Sequence, residues 1–324
     1  LRFTEYALII DNIQYKKEAS TVFMKGKIDN FLNLYYHSPE KMVINWNIYS
    51  PYFDAQGFLK VLAKGKMQPA AKKAPITKKS EKMISGQLQK MIDNRQVNIE
   101  IKADTMVYKN LTATNFTTDI HLNSGQLFIK NGYIRTCDGV ITFDAKLIPN
   151  KNLYNFSANT RINKVGIPQF FSSFNNFGIT SFQPNDIKGN LNLITNIQGA
   201  ITDNGDLIEN SLSGNVNYEI VGGKLIDFDP IVKIGKVAFP NRDVKNLTFE
   251  GLKGNFKINK ELITVDLIKF SSNVINFDVG GVYSLGKGTN LKMTIPLRDS
   301  KNDYLITNSA QRENERYKGA IVNL

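Results

Sequence analysis

The amino-acid sequence predicts a mainly β chain, folded as a long antiparallel sheet that has one apolar face and carries a few short amphipathic helices. The main observation is that apolar and polar residues alternate between residues 211 and 297. Because successive side chains of a strand point to opposite faces, this period of two places the apolar residues on one face. The apolar residues of the pattern include Val216, Tyr218, Ile263, Val265, Ile275, Phe277, Val279, Leu291, Met293 and Ile295.

Short glycine- and asparagine-containing sequences divide this segment into predicted hairpins. The predicted turns are Gly222-Gly223, Asn259-Lys260, Gly280-Gly281 and Gly286-Lys287-Gly288. Between two of the strands, Asp229 is predicted to cap a short helix, because Pro230 follows it at a first-turn position.

An approximate repeat supports a sheet that is built from modules. Asn110-Leu111-Thr112 recurs as Asn246-Leu247-Thr248, and at the same offset Ile134 corresponds to Phe270 and Ile141 to Phe277. Apolar positions and turns coincide over about 35 residues, which is typical of sheets that grow by repetition along one axis.

The rest of the chain has a related organisation. Strands are predicted through residues 1–50 and again from Val97 to Ala158, with a break at Ser50-Pro51 and a short helix after Asp54. A helix is predicted from Ile167 to a C-cap at Gly178, and another follows residue 83. The predicted organisation is therefore an N-terminal β segment with a short helix (1–62), a Lys- and Pro-rich linker (63–82) and an extended sheet domain (83–324).

Composition limits the classes of partner. The 324 residues carry a formal net charge of +12, which favours anionic partners, although most lysines are scattered as on solvated strand faces. The sequence has no zinc-finger spacing, RNP-like motif or basic helix, so nucleic acid is not expected as a partner. The lysines of 63–82 indicate either a solvated loop or contact with an acidic lipid surface. The single cysteine, Cys137, cannot form an internal disulfide.

No motif indicates an enzyme, a metal site or a cofactor. Walker-type, H-E-x-x-H, G-x-S-x-G and C-x-x-C sequences are absent, and the two histidines, His37 and His121, lie in strand-like contexts. Asp227 and Asp229 are better explained as a turn residue and a helix cap. A two-carboxylate glycosidase remains an open alternative, since its acids need not be close in sequence.

The order of several degenerate motifs resembles the AsmA family of large bacterial envelope proteins. The resemblance covers about residues 40–300. Its pieces are Ser213-Gly214-Asn215-Val216, Gly223-Lys224-Leu225-Ile226-Asp227-Phe228-Asp229-Pro230, the segment Phe249–Ile258, the turn Gly280–Leu285, the segments Phe171–Gly178 and Ile187–Leu191, and Ser50-Pro51-Tyr52-Phe53-Asp54.

The resemblance implies a curved antiparallel sheet whose apolar concave face forms an open groove. It further implies a periplasmic, non-enzymatic protein, anchored to the bacterial inner membrane by an N-terminal helix that this sequence lacks. Such proteins are expected to carry phospholipids between the inner and outer membranes and to support outer-membrane homeostasis. The family motifs do not extend to the Lys-rich 63–82 segment.

The lipid-binding hypothesis makes the ten apolar residues named above the candidate lining of the groove. Its expected partners are phospholipid acyl chains, both membranes and other envelope proteins. No cofactor is expected. The alternatives are a structural or assembly factor for outer-membrane proteins, whose sheet is covered by its own Phe170–Phe177 helix, and a β-rich carbohydrate-active enzyme.

Overall fold

A single sheet of sixteen strands dominates the computed structural model, which describes residues 1–17, 20–38, 41–56, 96–151, 153–178, 182–202, 206–284, 288–299 and 305–324. Each strand pairs with its neighbours in sequence, so that the order runs from β1 at one edge to β16 at the other. The strands are β1 Arg2–Phe3, β2 Ala7–Lys17, β3 Ser20–Asp29, β4 Val43–Asp54, β5 Gln96–Tyr108, β6 Leu111–Asn123, β7 Gln126–Thr136, β8 Gly139–Asn150, β9 Leu153–Gly166, β10 Ile187–Thr202, β11 Ser213–Ile226, β12 Asn246–Asn259, β13 Leu262–Ser271, β14 Asn276–Ser284, β15 Asn290–Pro296 and β16 Ile321–Asn323. The prediction of a mainly β chain with one long, open sheet and a few short helices is confirmed.

One strand pair departs from the predicted antiparallel order. β4 and β5 run parallel, with Ile44 opposite Val97 and Phe53 opposite Met106. Parallel neighbours require a crossover connection rather than a hairpin. The 41 residues between Asp54 and Gln96 are long enough to supply one. They contain most of the predicted helix after Asp54, the 63–82 linker and the helix after residue 83, which lie outside the described residues.

The predicted break at Ser50-Pro51 is wrong, because β4 continues through it to Asp54. The pairing of β3 with β4 shifts register at this point, between Thr21 and Phe23. A proline is tolerated in a strand at such an irregularity, where its missing N–H costs no ladder bond. Ser50 compensates locally, since its hydroxyl donates to the carbonyl oxygens of Thr21 and Tyr52 at 2.8 and 2.6 Å.

Two of the predicted glycine turns are also wrong. Gly222-Gly223 lies inside β11 and Gly280-Gly281 lies inside β14, and pairing continues on both sides of each. Gly222 has φ +61°, in the left-handed region that glycine adopts without strain, and it forms a bulge rather than a reversal. The turn at Asn259-Lys260 is present, whereas most of Gly286-Lys287-Gly288 lies outside the described residues.

The sequence repeat corresponds to a structural repeat. At the offset that relates Asn110 to Asn246, the end of β6 falls on the end of β12, and the start of β7 falls on the start of β13. The corresponding apolar positions are equally buried: Ile134 and Phe270 are core residues, and so are Ile141 and Phe277. The turn between the first two strands and these inward-facing positions therefore coincide in the two copies, although β8 has 12 residues and β14 has 9.

Four α-helices accompany the sheet in the described part of the chain: α1 Phe31–His37, α2 Ile167–Ser173, α3 Asp229–Ala238 and α4 Ser309–Arg316. α1 was not predicted, because its apolar residues lie on two sides of the helix and do not form a single stripe. α2 ends at Ser173, before the predicted cap, and Asn175 to Phe177 then adopt left-handed backbone angles. α3 has the predicted proline in its first turn, but Phe228 occupies the N-cap position and Asp229 lies inside the helix.

The described residues divide into two units, and this division falls inside the predicted 83–324 domain. The first unit contains 1–136, 142–158 and 200–207, and one of its cores gathers Leu8, Ile28, Met42, Ile44 and Val97 beneath Phe31 and Leu34 of α1. The second contains 137–141, 159–199 and 208–324, and its core is described below.

Candidate functional site

Nine of the ten candidate groove residues lie on one face of the sheet in the second unit, and the tenth, Ile275, directly precedes β14 and packs in the core on that face. The strand register places Val216 of β11, Val265 of β13 and Leu291 of β15 in one cross-strand row, which also contains Phe256 and Gly281. Directly paired residues project to the same side of a sheet, so the row fixes a common face for these strands. The structure thus brings together residues that are up to 80 positions apart in the sequence.

One part of this face is a closed core, here called the closed end. Ile275, Phe277 and Ile295 are 2%, 7% and 1% exposed, and Val279 and Met293 pack against them. The aromatic rings are in contact: the centroids of Phe270 and Phe277 are 4.6 Å apart. The buried members of the closed end are Leu225, Ile231, Phe239, Val244, Leu247, Phe249, Phe270, Ile275, Phe277 and Ile295.

Helix α3 and the residues after it cover the closed end. Ile231 of the helix, Phe239 and Val244 are all buried among the strand residues. The connection between β11 and β12 carries this helix, and therefore folds over the end of the sheet at which the two strands are joined. Five of the ten predicted residues (Ile275, Phe277, Val279, Met293 and Ile295) thus belong to, or pack against, a core that the chain fills itself.

The remaining residues form a more accessible surface, here called the open strip. It consists of the partly exposed Val216, Tyr218, Phe256, Ile258, Ile263, Val265 and Leu291. Leu291 is 39% exposed, and the Tyr218 ring stacks on the Phe256 ring with 5.0 Å between centroids. Burial of the Tyr218 phenol raises its pKa to about 12, because the charged phenolate would lose hydration there. The open strip is therefore apolar enough to disfavour charge while its side chains remain in part accessible.

Phe256 and Ile258 of the open strip, and Leu193 beside it, were not among the ten predicted residues. Phe256 and Ile258 complete the alternation of β12, and Leu193 of β10 lies directly opposite Tyr218. A search for apolar alternation in the strands that flank each predicted hairpin would have found them.

The bulge at Gly222 explains how the two parts remain on one face. Ile220 and Leu225 are an odd number of positions apart and would face opposite sides of a regular strand. Both nevertheless contact the closed end, because the pairing of β11 with β10 shifts register here, where Gly222 and Gly223 oppose the single residue Gly189. Glycines also make room for rings from the neighbouring strand: the Phe249 ring lies over Gly223, and the Tyr218 ring lies over Gly254.

The opposite face of β13 and β14 is polar and carries helix α4. Asp278 is 4% exposed and accepts hydrogen bonds from the Arg316 guanidinium, with 3.0 Å between Nε and Oδ1, and from the Tyr317 hydroxyl. Arg316 also donates to the carbonyl oxygens of Phe270 and Phe277 at 2.8 and 2.9 Å. Burial, together with the hydrogen bond to Asp278, raises the pKa of the Tyr317 phenol. Asp278 and Arg316 are thus both buried and hydrogen-bonded, and their contacts hold the end of α4 against the sheet.

The histidines and carboxylates that were considered for catalysis make contacts of an ordinary structural kind. The His121 imidazole contacts the Asn98 amide oxygen at 2.8 Å, and His37 contacts the carbonyl oxygen of Asn33 in its own helix at 3.0 Å. Asp229 pairs with Lys233 one turn along α3 at 3.3 Å, and Asp227 has the left-handed φ of a turn residue. Within the described ranges, no group of three or more His, Cys, Asp or Glu side chains is placed to hold a metal ion.

The comparisons with models of protein families, with curated proteins and with solved structures found no match to this chain. Among the helices of the described residues, none has the length and hydropathy needed to cross a membrane.

Proposed function

We propose that this chain is a non-enzymatic lipid-binding protein, and that the open strip is the surface on which phospholipid acyl chains lie. In this proposal it transfers phospholipids between the inner and outer membranes of a bacterial envelope and so supports outer-membrane homeostasis. The observation that carries the proposal is the cross-strand row from Val216 through Phe256 and Val265 to Leu291, which is apolar and partly exposed. The sequence resemblance to the AsmA family supplies the periplasmic setting.

The energetics of the strip suit an acyl chain. Transfer of each methylene from water to an apolar surface contributes about 0.8 kcal/mol, whatever head group the lipid carries. The strip provides aliphatic and aromatic contacts, and the raised pKa of Tyr218 agrees with a poorly hydrated environment. A surface of this kind favours binding through the acyl chains and gives little discrimination between head groups.

A matched pair of variants on one strand tests the proposal. Val265 projects into the open strip, whereas its neighbour Thr264 projects from the other face and is exposed. We expect native mass spectrometry to detect phospholipid bound to the wild-type protein and to Thr264→Asp, and to detect much less on Val265→Asp. Both variants replace partly or fully exposed side chains, and circular dichroism checks that both remain folded.

The choice of positions matters for this experiment. Phe277 and Ile295 belong to the closed end, so a charge at either position would unfold the core whether or not lipid binds. Absence of lipid from the wild-type protein, or equal lipid on the two folded variants, would contradict the proposal.

A further inference from the structure

The first unit carries an exposed aromatic patch that is separate from the open strip. It consists of Phe3, Tyr6, Leu32, Tyr35 and Tyr36, here called the aromatic patch, and these side chains are 59%, 73%, 47%, 50% and 75% exposed. Contiguous exposed apolar surface on a soluble domain usually marks an interaction site. Single exposed apolar residues, by contrast, are common and need no explanation.

The patch is continuous because β1 and helix α1 are in contact. The ring of Phe3 lies 5.9 Å from that of Phe31, Phe31 lies 5.6 Å from Tyr35, and Tyr35 lies 5.2 Å from Tyr36, centroid to centroid. The backbone N–H of Asn30, just before α1, donates to the carbonyl oxygen of Tyr6. Phe31 therefore joins Phe3 to Tyr35 and Tyr36, and the backbone of Tyr6 is held at the start of the helix that carries Leu32.

Helix α1 is apolar on two sides. Phe31 and Leu34 pack inward against the core of Leu8, Ile28, Met42, Ile44 and Val97. Leu32, Tyr35 and Tyr36 are spaced at i, i+3 and i+4, so they form a second stripe that faces outward. A helix that is apolar all round is normally covered on both sides. Folding of this unit accounts for the inner side of α1 and leaves the outer side for a partner.

The chemistry of the outer stripe matches the interfacial region of a lipid bilayer. Tyrosine rings have an apolar body and a polar tip, which is why tyrosine accumulates at membrane–water interfaces. The hydroxyls of Tyr6, Tyr35 and Tyr36 make no hydrogen bond to any described residue, and all three side chains are exposed. A short helix lying flat with Leu and aromatic residues outward is a usual form of interfacial anchor.

The net charge of the chain, rather than the charges beside the patch, attracts it to an anionic membrane. α1 contains no carboxylate. Of the exposed cations beside the patch, Arg2 is paired with Asp11 at 2.9 Å and Lys27 with Asp29 at 2.7 Å. The whole chain carries +12, which attracts it to an anionic surface.

We infer that the aromatic patch docks the first unit onto the surface of a phospholipid membrane, with α1 lying in the interface. This inference deepens the proposed function, since it names the surface by which a lipid-binding protein would reach its membrane. It rests on that function only for the nature of the partner, because the patch and the open strip belong to different units.

The test measures binding of the full chain to vesicles of phosphatidylethanolamine and phosphatidylglycerol by co-sedimentation. Leu32→Gln/Tyr36→Gln removes two exposed apolar side chains from the patch. Tyr15→Gln/Leu267→Gln is a matched control, since it removes one exposed tyrosine (54%) and one exposed leucine (64%) elsewhere. We expect the patch variant to lose about tenfold or more in vesicle affinity, and the control to bind as the wild type does.

The single tryptophan provides a second measurement. Trp46 packs against the same core as the inward face of α1. Brominated lipids in the vesicles should therefore quench Trp46 fluorescence in the wild type and in the control, but not in the patch variant. Thermal melts check that both double variants are folded.

Two outcomes would overturn the inference. The first is a wild-type protein that does not bind the vesicles, and the second is a patch variant that binds them as well as the control does. If the patch variant instead changes only the mass measured by light scattering, the patch joins two copies of the chain. Val265→Asp separates the two proposals: it should keep vesicle binding while losing bound lipid, so either property can fail alone.

Discussion

The closed end and the open strip share strands β11 to β15 and the same face, yet they differ in how their side chains are covered. Phe277 of β14 and Ile295 of β15 are buried. Val265 of β13 and Leu291, which lies four residues before Ile295 on the same strand, remain in part accessible. The amino acids are of similar character in both places. What differs is the connection at each end of the strand pairs.

The connections explain the difference. β11 and β12 are joined by a long segment that contains α3, and this helix folds back over the strand ends that it joins. At the opposite end, β12 and β13 are joined by a tight turn at Lys260, which is too short to cover anything. A sheet face is therefore closed where a long connection returns over it, and open where hairpin turns are short.

The largest expected difference between the two regions concerns their phenylalanines. Phe277→Ala should lower the free energy of unfolding by about 3–5 kcal/mol, because it leaves a cavity in a closed core. Phe256→Ala in the open strip should cost only about 1 kcal/mol, since that ring is only partly buried. Urea denaturation of both variants measures the difference, and equal losses would show that the strip is as closed as the core.

Two glycines in the same strand pair make a finer comparison. A β-carbon added at Gly223 would lie 2.0 Å from the ring of Phe249, which is buried, and one added at Gly254 would lie 2.5 Å from the hydroxyl of Tyr218. Gly223→Ala should therefore destabilise the protein by about 1–3 kcal/mol through overpacking. Gly254→Ala should cost less, about 1 kcal/mol, because Tyr218 is only partly buried and its hydroxyl end is what the added methyl meets first.

The alternative outcome for the glycines is informative. If Gly254→Ala proved as costly as Gly223→Ala in chemical denaturation, the ring of Tyr218 would be held as firmly as that of Phe249. The strip would then be a rigid surface rather than one that adapts to a ligand.

The smallest expected effect is the pH dependence contributed by Tyr218. Its pKa is about 12 in the folded chain, against about 10 for an ordinary tyrosine, so folding favours the neutral phenol. The corresponding stability is present below about pH 10 and is lost as the pH rises from there through 12. Tyr218→Phe should remove this part of the alkaline loss, as measured by denaturation at increasing pH.

The ultraviolet absorbance of the phenolate gives an independent reading. If an acyl chain covers Tyr218, titration of this group in lipid-loaded protein should move to higher pH than in delipidated protein. No change between the two preparations would place the lipid elsewhere.

Much of the fold follows from local pattern. The alternation around Val216, Ile263 and Leu291 predicted both the strands and their shared face, because side-chain direction in a strand depends only on parity. The repeat of Asn110–Thr112 at Asn246–Thr248 predicted that β6 and β12 are equivalent strands. Helix α1 was missed because its apolar residues face both inward and outward and therefore do not form a single stripe.

The wrong predictions, which are two glycine turns and one strand break, have a common cause. Gly222-Gly223 and Gly280-Gly281 are compatible with a hairpin turn and with a strand that continues, and the choice depends on whether a neighbouring strand pairs past them. Pro51 is compatible with a strand only because β3 shifts its register opposite it. Such choices are made by non-local pairing, which no short window of sequence contains.

The alternating sequence from Ser211 to Leu297 by itself determined that this protein has an extended sheet with one apolar face. Which half of that face is core and which half is surface was decided only in the tertiary structure. The physical reason is that burial of Phe277 or Ile295 depends on α3 and on side chains from neighbouring strands, whereas the direction in which each side chain points depends on its own strand alone.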